Sequence, residues 1–266
     1  MNYSVVLPAS GPKASYYSAY VGYIRGLLDA CGQSYRVEGK VEGTKFLMHI
    51  NDKSVAIDYS DHYDVCEHLF DRPYFKFHCP SYLKKHENVY PFAPISFYDW
   101  KEFAVLRKSI RYTCNNDTVL NLQEPRAGAL KRRKYVQEML RDKFGTSVIT
   151  KSNLPQKDYW KLINNCLVHV FVPGARNNMI DRGHMQYMAF GCCTICPRIM
   201  DELTHGKIRA GCHYVECKAD YSDLIEKINW CKRHRDACRE IGVNAQRLFD
   251  TSCTPQVLWE LIRSKI

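Results

Sequence analysis

The sequence predicts an α/β protein made of two Rossmann-like halves that face a cleft. The first observation is an alternation of short apolar runs with helical segments over residues 119–234, the pattern of parallel βαβ units. The second is length. At 266 residues the chain falls between one large domain and two small ones of roughly 100–150 residues each. The third is composition: 45% apolar and 12% aromatic residues supply a core and exclude a disordered chain. No apolar stretch reaches the roughly 18 residues of a membrane span. Met1–Leu7 has no basic n-region and no small-residue cleavage site, so no secretion is expected. The expected protein is soluble and cytoplasmic.

Taken in chain order, Tyr3–Leu7 reads as a strand, Pro8–Ser15 as a small-residue loop and Tyr16–Ala30 as a helix. Thr44–Ile50 and Ser54–Tyr59 flank Asn51-Asp52-Lys53 as a hairpin or tight strand pair. Pro73–His78 is a further strand. The proline- and aromatic-rich stretch Tyr90–Tyr98 is a linker, and Asp99–Tyr112 a connecting helix, giving domains of 1–114 and 115–266. In the second domain Val119–Leu122 is a strand. Leu130–Phe144 repeats apolar residues at helical spacing and stops at Gly145, a suitable C-cap. Ser147–Thr150, Cys166–Val172, Cys192–Cys196 and His213–Glu216 read as strands. Gln156–Asn165, Ile180–Phe190 and Tyr221–His234 read as helices. The last helix, from about Thr254 to Ile266, opens with a threonine cap and proline at its first position.

Thirteen cysteines form an odd count on a long chain, unlike a secreted disulfide framework. They read as reduced thiols filling the core of a protein in a reducing compartment. The tight groupings are Cys192-Cys193-x-x-Cys196 and Cys231-x-x-His234-x-x-x-Cys238. The first lies in a buried strand, and the second sits on one helix face without a paired cluster at zinc-like spacing. No metal site is expected.

Basic residues exceed acidic ones, 38 to 28, for a formal charge of +10. The richest stretch for an anionic ligand is Val168–Pro197. A strand runs into Pro173-Gly174, then a polar loop, then a helix whose first turn holds Asp181 and Arg182. Glycine lets a ligand approach the backbone, and the helix presents unpaired N–H groups and a positive dipole end. Arg176 and Arg182 add charges suited to phosphate oxygens. Gln186 lies one turn beyond Arg182 on the same face.

This order of strand, Pro-Gly, polar loop, D-R-x-x-x-[E/Q]-x-x-x-x-G and apolar strand ending in proline resembles the donor-binding segment of GT-B glycosyltransferases. The likeness is nearest to compact exostosin-like and large-DNA-virus (chlorovirus-type) members. It extends over residues 115–266 and reaches the first 114 in outline. The resemblance implies a nucleotide-sugar donor, UDP- or GDP-linked, with Arg182 at the diphosphate and Gln186 at the ribose. Gln186 stands where the pattern usually carries glutamate. Arg126, Lys131, Arg132 or Arg133 would face the phosphates. The loop and helix Leu154–Trp160, with Pro155 at its start, would bring backbone groups to the nucleobase. The C-terminal helix would cross back to the N-terminal domain, and Gly174 would admit the donor.

Sugar transfer with inversion needs a base for the acceptor hydroxyl and stabilisation of the leaving diphosphate. Asp58, at a strand's carboxyl end, and Asp61 just beyond it are the candidate bases. Tyr74, Lys76 and His78 share one face of a strand, with Lys76 offering electrostatic help and His78 a reserve base. No DxD-type pair stands in a strand–loop context, so transfer without metal or other cofactor is expected. The acceptor would be an oligosaccharide or glycoprotein glycan, met by a monomer or weak dimer, in the host cytoplasm if the chain is viral. The charge and 18 tyrosines also admit a nucleic-acid-binding module. The basic residues are dispersed and no such motif appears, so no nucleic-acid partner is expected. A catalytically silent GT-B relative is the other alternative.

Overall fold

A computed structural model describes residues 3–9, 16–40, 43–93, 100–123, 125, 129–150, 155–174 and 176–266. The chain divides into two compact units. The first comprises Met1–Ala104, Asp201–Lys207 and Thr251–Ile266; the second comprises Val105–Met200 and Ile208–Asp250. The division therefore falls inside a helix rather than at residue 114, and the first unit is assembled from three stretches of chain.

The first unit begins with β1 (Val5–Ala9), α1 (Tyr16–Ala30), β2 (Tyr35–Lys40), β3 (Lys45–Ile50) and β4 (Lys53–Asp58). It continues with β5 (Tyr74–Lys76) and β6 (Val89–Pro91), and α2 (Trp100–Ser109) leaves it. The six-stranded sheet has the order β2-β1-β3-β4-β5-β6. It is mixed, because β3 runs antiparallel to both β1 and β4, while β4, β5 and β6 are parallel. The β3–β4 pair is the expected hairpin, and Asn51 takes its positive φ of 55°, a conformation asparagine tolerates. β2 and β6 were not legible in the sequence. β2 is a polar, largely exposed edge strand without period-two contrast, and β6 is only three residues long. Tyr20 and Tyr23 of α1 reach Tyr59, with the Tyr20 and Tyr59 rings stacked at 4.7 Å.

The second unit follows as β7 (Val119–Asn121), α3 (Leu130–Phe144), β8 (Val148–Thr150), α4 (Gln156–Lys161), β9 (Val168–Val170), α5 (Arg182–Ala189) and β10 (Thr194–Pro197). The short hairpin β11 (Glu202–Leu203) and β12 (Gly206–Lys207) belongs to the first unit, where Glu202 N–H donates to Cys79 O at 2.9 Å. The chain returns to the second unit with β13 (Val215–Cys217), α6 (Leu224–Arg233) and α7 (Arg235–Ser252), and closes in the first with α8 (Pro255–Arg263). The sheet order is β13-β10-β9-β7-β8, parallel throughout. Reading the strands in sequence, this is the doubly wound 2-1-3-4-5 order, whose direction reverses between β7 and β9. Its core is the aliphatic set Val119, Val136, Leu140, Val168, Ile195 and Ile228.

Two helical expectations change. Cys231, His234 and Cys238 do not share one helix face: α6 stops at Arg233, His234 has φ −126° and ψ 53°, and α7 starts afresh at Arg235. Cys231 and Cys238 thus sit on consecutive helices. Asp181 is not in the first turn of α5 but is its N-cap. The C-terminal helix does return to the first unit, where α8 packs on α1 and Trp259 meets Tyr3 edge to face at 5.7 Å. Among the described residues no helix is long and apolar enough to cross a membrane.

α7 approaches the turn after α5 so closely that a Cβ on Gly242 would lie 2.0 Å from Gly191 O. Backbone cannot yield to a methyl group there. Gly242→Ala is expected to destabilise the chain by at least ~1–3 kcal/mol, as overpacked sites do, read as a lower urea midpoint at unchanged slope.

Candidate functional site

In the second unit, the strand-order reversal places the loops after β7 and β9 side by side, where an open α/β sheet binds its ligand. The backbone there is held by side chains. Gln123 Oε1 accepts Val172 N–H at 2.5 Å, and Gln123 Nε2 donates to Asp181 Oδ2 at 3.4 Å. Asn121 Nδ2 donates to Val170 O at 2.9 Å. From the first turn of α3, Arg132 donates to the carbonyls of Pro173 and Gly174. Arg133 donates to Val172 O at 3.1 Å and pairs with Asp181 Oδ2 at 3.6 Å. Asn177 is fixed by Tyr221 O–H at 2.7 Å. The loop that follows β9 is thus a built platform.

The expected phosphate-binding amides are not all open. The Asp181 carboxylate already accepts the N–H groups of Gly183, at 2.6 Å, and His184. Positive charge comes instead from side chains: Arg132 and Arg182 are half-buried and Arg176 is exposed. Gln186 lies on α5 as expected but is 1% exposed, with Nε2 finding no partner among the described residues. Pro155 is exposed at the start of α4. Arg126 lies outside the described residues. His169 and His184 are buried under this surface, and burial pushes both well down from the usual histidine value, His184 to about 3. They are neutral packing residues, with His169 stacked on Tyr187 at 3.7 Å.

In the first unit, strand register brings Asp58 of β4 opposite Lys45 of β3 and Lys76 of β5. Asp58 is 1% exposed and Lys76 wholly buried. Lys76 Nζ lies 3.2 Å from Asp58 Oδ2, Tyr74 O–H donates to the same oxygen at 2.5 Å, and Ser60 N–H donates to Oδ1 at 2.7 Å. Burial pushes the Lys76 ammonium down and Asp58 pulls it back, for a net lowering. With its oxygens so engaged and shielded from water, Asp58 is placed as a structural ion-pair partner. Lys76 is spent on Asp58 and on Ser60, whose Oγ it meets at 2.8 Å.

His78 lies two residues past β5. Its Nδ1 is 3.3 Å from Asp201 Oδ2 and its Nε2 is 3.5 Å from Asp61 Oδ1. Burial alone would lower the imidazole's pKa, but its hydrogen bonds to the Asp201 and Asp61 carboxylates, with their charges, outweigh it and hold the value above the usual 6.5. Asp201 is buried, whereas the Asp61 side chain is 44% exposed. The three form a row from interior to surface. Asp201, 123 residues from His78, was not legible in the sequence, and nor were Gln123 or Tyr221.

Comparison with known proteins fits this architecture. A glycosyltransferase from Rickettsia africae superposes over 99% of this chain and 98% of its own, with a TM-score of 0.56 at 10% identity. Alr3699/HepE of Anabaena, solved in complex with UDP and glucose, superposes over 97% of this chain and 77% of its own, with a TM-score of 0.51 at 9% identity. The chain has the fold of a GT-B glycosyltransferase. In sequence, the GT-B chain is 33% identical over 69 residues to the O-glucosyltransferase LpsA of Dichelobacter nodosus. It is 36% identical over 72 residues to the uncharacterized protein 179R of Invertebrate iridescent virus 6. These segments span 22% and 6% of those two proteins. No protein-family model matches the chain.

All thirteen cysteines are free thiols, and ten are buried. Cys193 comes together with Cys231 and Cys238, their sulfurs all within 4.8 Å of one another, so the second grouping does have a partner, drawn from the first. His234 instead points to the surface and stacks on Trp230 at 4.7 Å.

Removing one member of a buried ion pair leaves the other uncompensated. Lys76→Met is expected to cost ~3–5 kcal/mol of unfolding free energy, and adding Asp58→Asn should restore part of it in a double-mutant cycle. Full additivity of the two losses would refute the coupling.

Proposed function

We propose that the chain is a glycosyltransferase that moves a sugar from a UDP- or GDP-sugar to a hydroxyl of a glycan acceptor, with inversion and without a metal ion. The observation that carries this reading is the cluster of Arg132, Arg133 and Arg182 at the strand-order reversal of the second unit. The fold is shared with a structure that binds UDP and glucose. On this reading Arg182 and Arg176 meet the diphosphate, while Arg132 and Arg133 hold the Pro173-Gly174 platform beneath it. Gln186 hydrogen-bonds the ribose, its Nε2 supplying the donor, and backbone near Pro155 meets the nucleobase. The resemblance also assigns Arg126, outside the described residues, to the phosphates. Guanidiniums held by the scaffold before the reaction stabilise charge on the leaving diphosphate without reorganising.

Proton transfer belongs to the first unit, and the reading assigns it to His78 rather than Asp58. Neutral His78 takes the acceptor's hydroxyl proton at Nε2, the oxygen bonds to the anomeric carbon, and the bond to the nucleotide diphosphate breaks. Asp201 orients the ring through Nδ1 and stabilises the imidazolium that forms, in the manner of the carboxylate in a Ser-His-Asp triad. Asp61, at the exposed end of the row, accepts a hydrogen bond from the acceptor. The free thiols agree with a reducing, cytoplasmic setting.

Two experiments test this. UDP or GDP should raise the Tm of the chain by mass action. Arg182→Ala should abolish that shift while leaving the unliganded Tm in place. No shift with any nucleoside diphosphate would sink the donor assignment. A base must be deprotonated, so turnover should rise with pH through the His78 pKa, above 6.5. His78→Gln should cut turnover by about 10²–10⁴ and erase that rise without changing nucleotide binding. Asp201→Asn should move the rise to lower pH. A pH profile unchanged in both variants would overturn the base.

A further inference from the structure

The second unit gathers thiols that neither cluster above employs. Cys193 lies just before β10, Cys231 in the last turn of α6 and Cys238 near the start of α7. The break at His234 turns these last two, seven positions apart, toward one point. All three are fully buried, with sulfurs within 4.8 Å of one another. Cys114, also fully buried, neighbours Cys238, its thiol donating to Leu167 O at 3.4 Å.

Core packing does not by itself call for this grouping. The surroundings are aliphatic, thiols are weak hydrogen-bonding groups, and larger apolar side chains would bury more surface. Other features hold the sulfurs in place. Cys114 has a φ of +56°, a conformation non-glycine residues seldom adopt. It is fastened there by Arg235, which donates to Cys114 O at 2.8 Å and Asn116 O at 2.9 Å, and by Arg239, which donates to Thr113 O at 3.1 Å. Two guanidiniums therefore flank the segment that carries one of the sulfurs. Cys238 lies in the first turn of α7, where the helix dipole favours an anion.

We propose that Cys193, Cys231 and Cys238, with Cys114 as fourth ligand, hold a single structural Zn²⁺ that ties the α6–α7 junction to the end of the parallel sheet. Zn–S bonds of about 2.3 Å give tetrahedral S···S edges of about 3.8 Å, a modest contraction of the three sulfurs already within 4.8 Å, with Cys114 drawn in as the fourth. On binding, each thiol releases its proton to solvent and its sulfur lone pair bonds the ion, with no change of oxidation state. Arg235 and Arg239, each also paired with a carboxylate, Asp117 and Asp236, hold the backbone beside the site. This site is independent of the glycosyltransferase reading.

The test uses the full chain, purified under reducing conditions and dialysed against metal-free buffer. Elemental analysis should find one zinc per chain, and replacement by Co²⁺ should give the visible bands of a tetrahedral cobalt thiolate. Cys193→Ser and Cys238→Ser should lose that spectrum at equimolar metal, while Cys31→Ser, in the first unit, should keep it. If those variants do not fold, the wild-type chain decides. Stripping it with a chelator should lower its Tm and expose thiols to alkylation, and Zn²⁺ should reverse both. A fully reduced chain that retains no zinc, gives no cobalt spectrum and shows no zinc-dependent Tm overturns the proposal, as does a disulfide joining any two of the three.

Discussion

The second unit depends on pairing the backbone that β7 and β9 leave open at their carboxyl ends. A parallel sheet stops abruptly, and the amides and carbonyls past the last ladder bond need partners when they are buried. Here Gln123, Asn121, Arg132 and Arg133 supply them. Those bonds fix the Pro173-Gly174 turn, and the turn fixes where α5 begins. The same arrangement decides which groups remain for a ligand. Asp181 caps α5 with its own carboxylate, so the amides of Gly183 and His184 are already engaged.

The first unit is ruled by a related constraint on charge. Asp58 and Lys76 are opposite one another in register on adjacent parallel strands and neither reaches water. Charges in such a place must be paired and hydrogen-bonded, and Tyr74, Ser60 and Lys45 complete the set. A group satisfied in this way is poorly suited to take a proton from an incoming hydroxyl. His78 is as buried as Asp58 and both its nitrogens face carboxylates, but one of these, Asp61, opens to the surface.

Legibility in the sequence tracked periodicity. α3 and its stop at Gly145, the hairpin around Asn51 and the strands of the second unit could all be read, because apolar spacing and turn residues are local signals. α7, the longest helix among the described residues, was not legible in the sequence, which offers a helix only as far as His234. β2 was missed because an exposed edge strand lacks alternation. Among site residues, Arg132, Arg182 and His78 were visible as residue types in suitable positions. Gln123, Asp201 and Tyr221, which hold Val172, His78 and Asn177, were not, since they are set by strand order and chain return rather than by neighbours in sequence.

The sequence by itself determined the fold class, the basic segments beside the Pro-Gly turn and the candidate list Asp58, Asp61, Lys76 and His78. Only the tertiary structure decided which of these are buried partners and which face outward. It also joined Cys193 to Cys231 and Cys238, which the sequence presented as separate groups on unrelated elements. The physical reason is common to both cases. Composition and periodicity specify which face of an element is apolar, but a side chain's charge state and ligating capacity depend on what lies across from it. That is fixed only when distant strands and helices come into register.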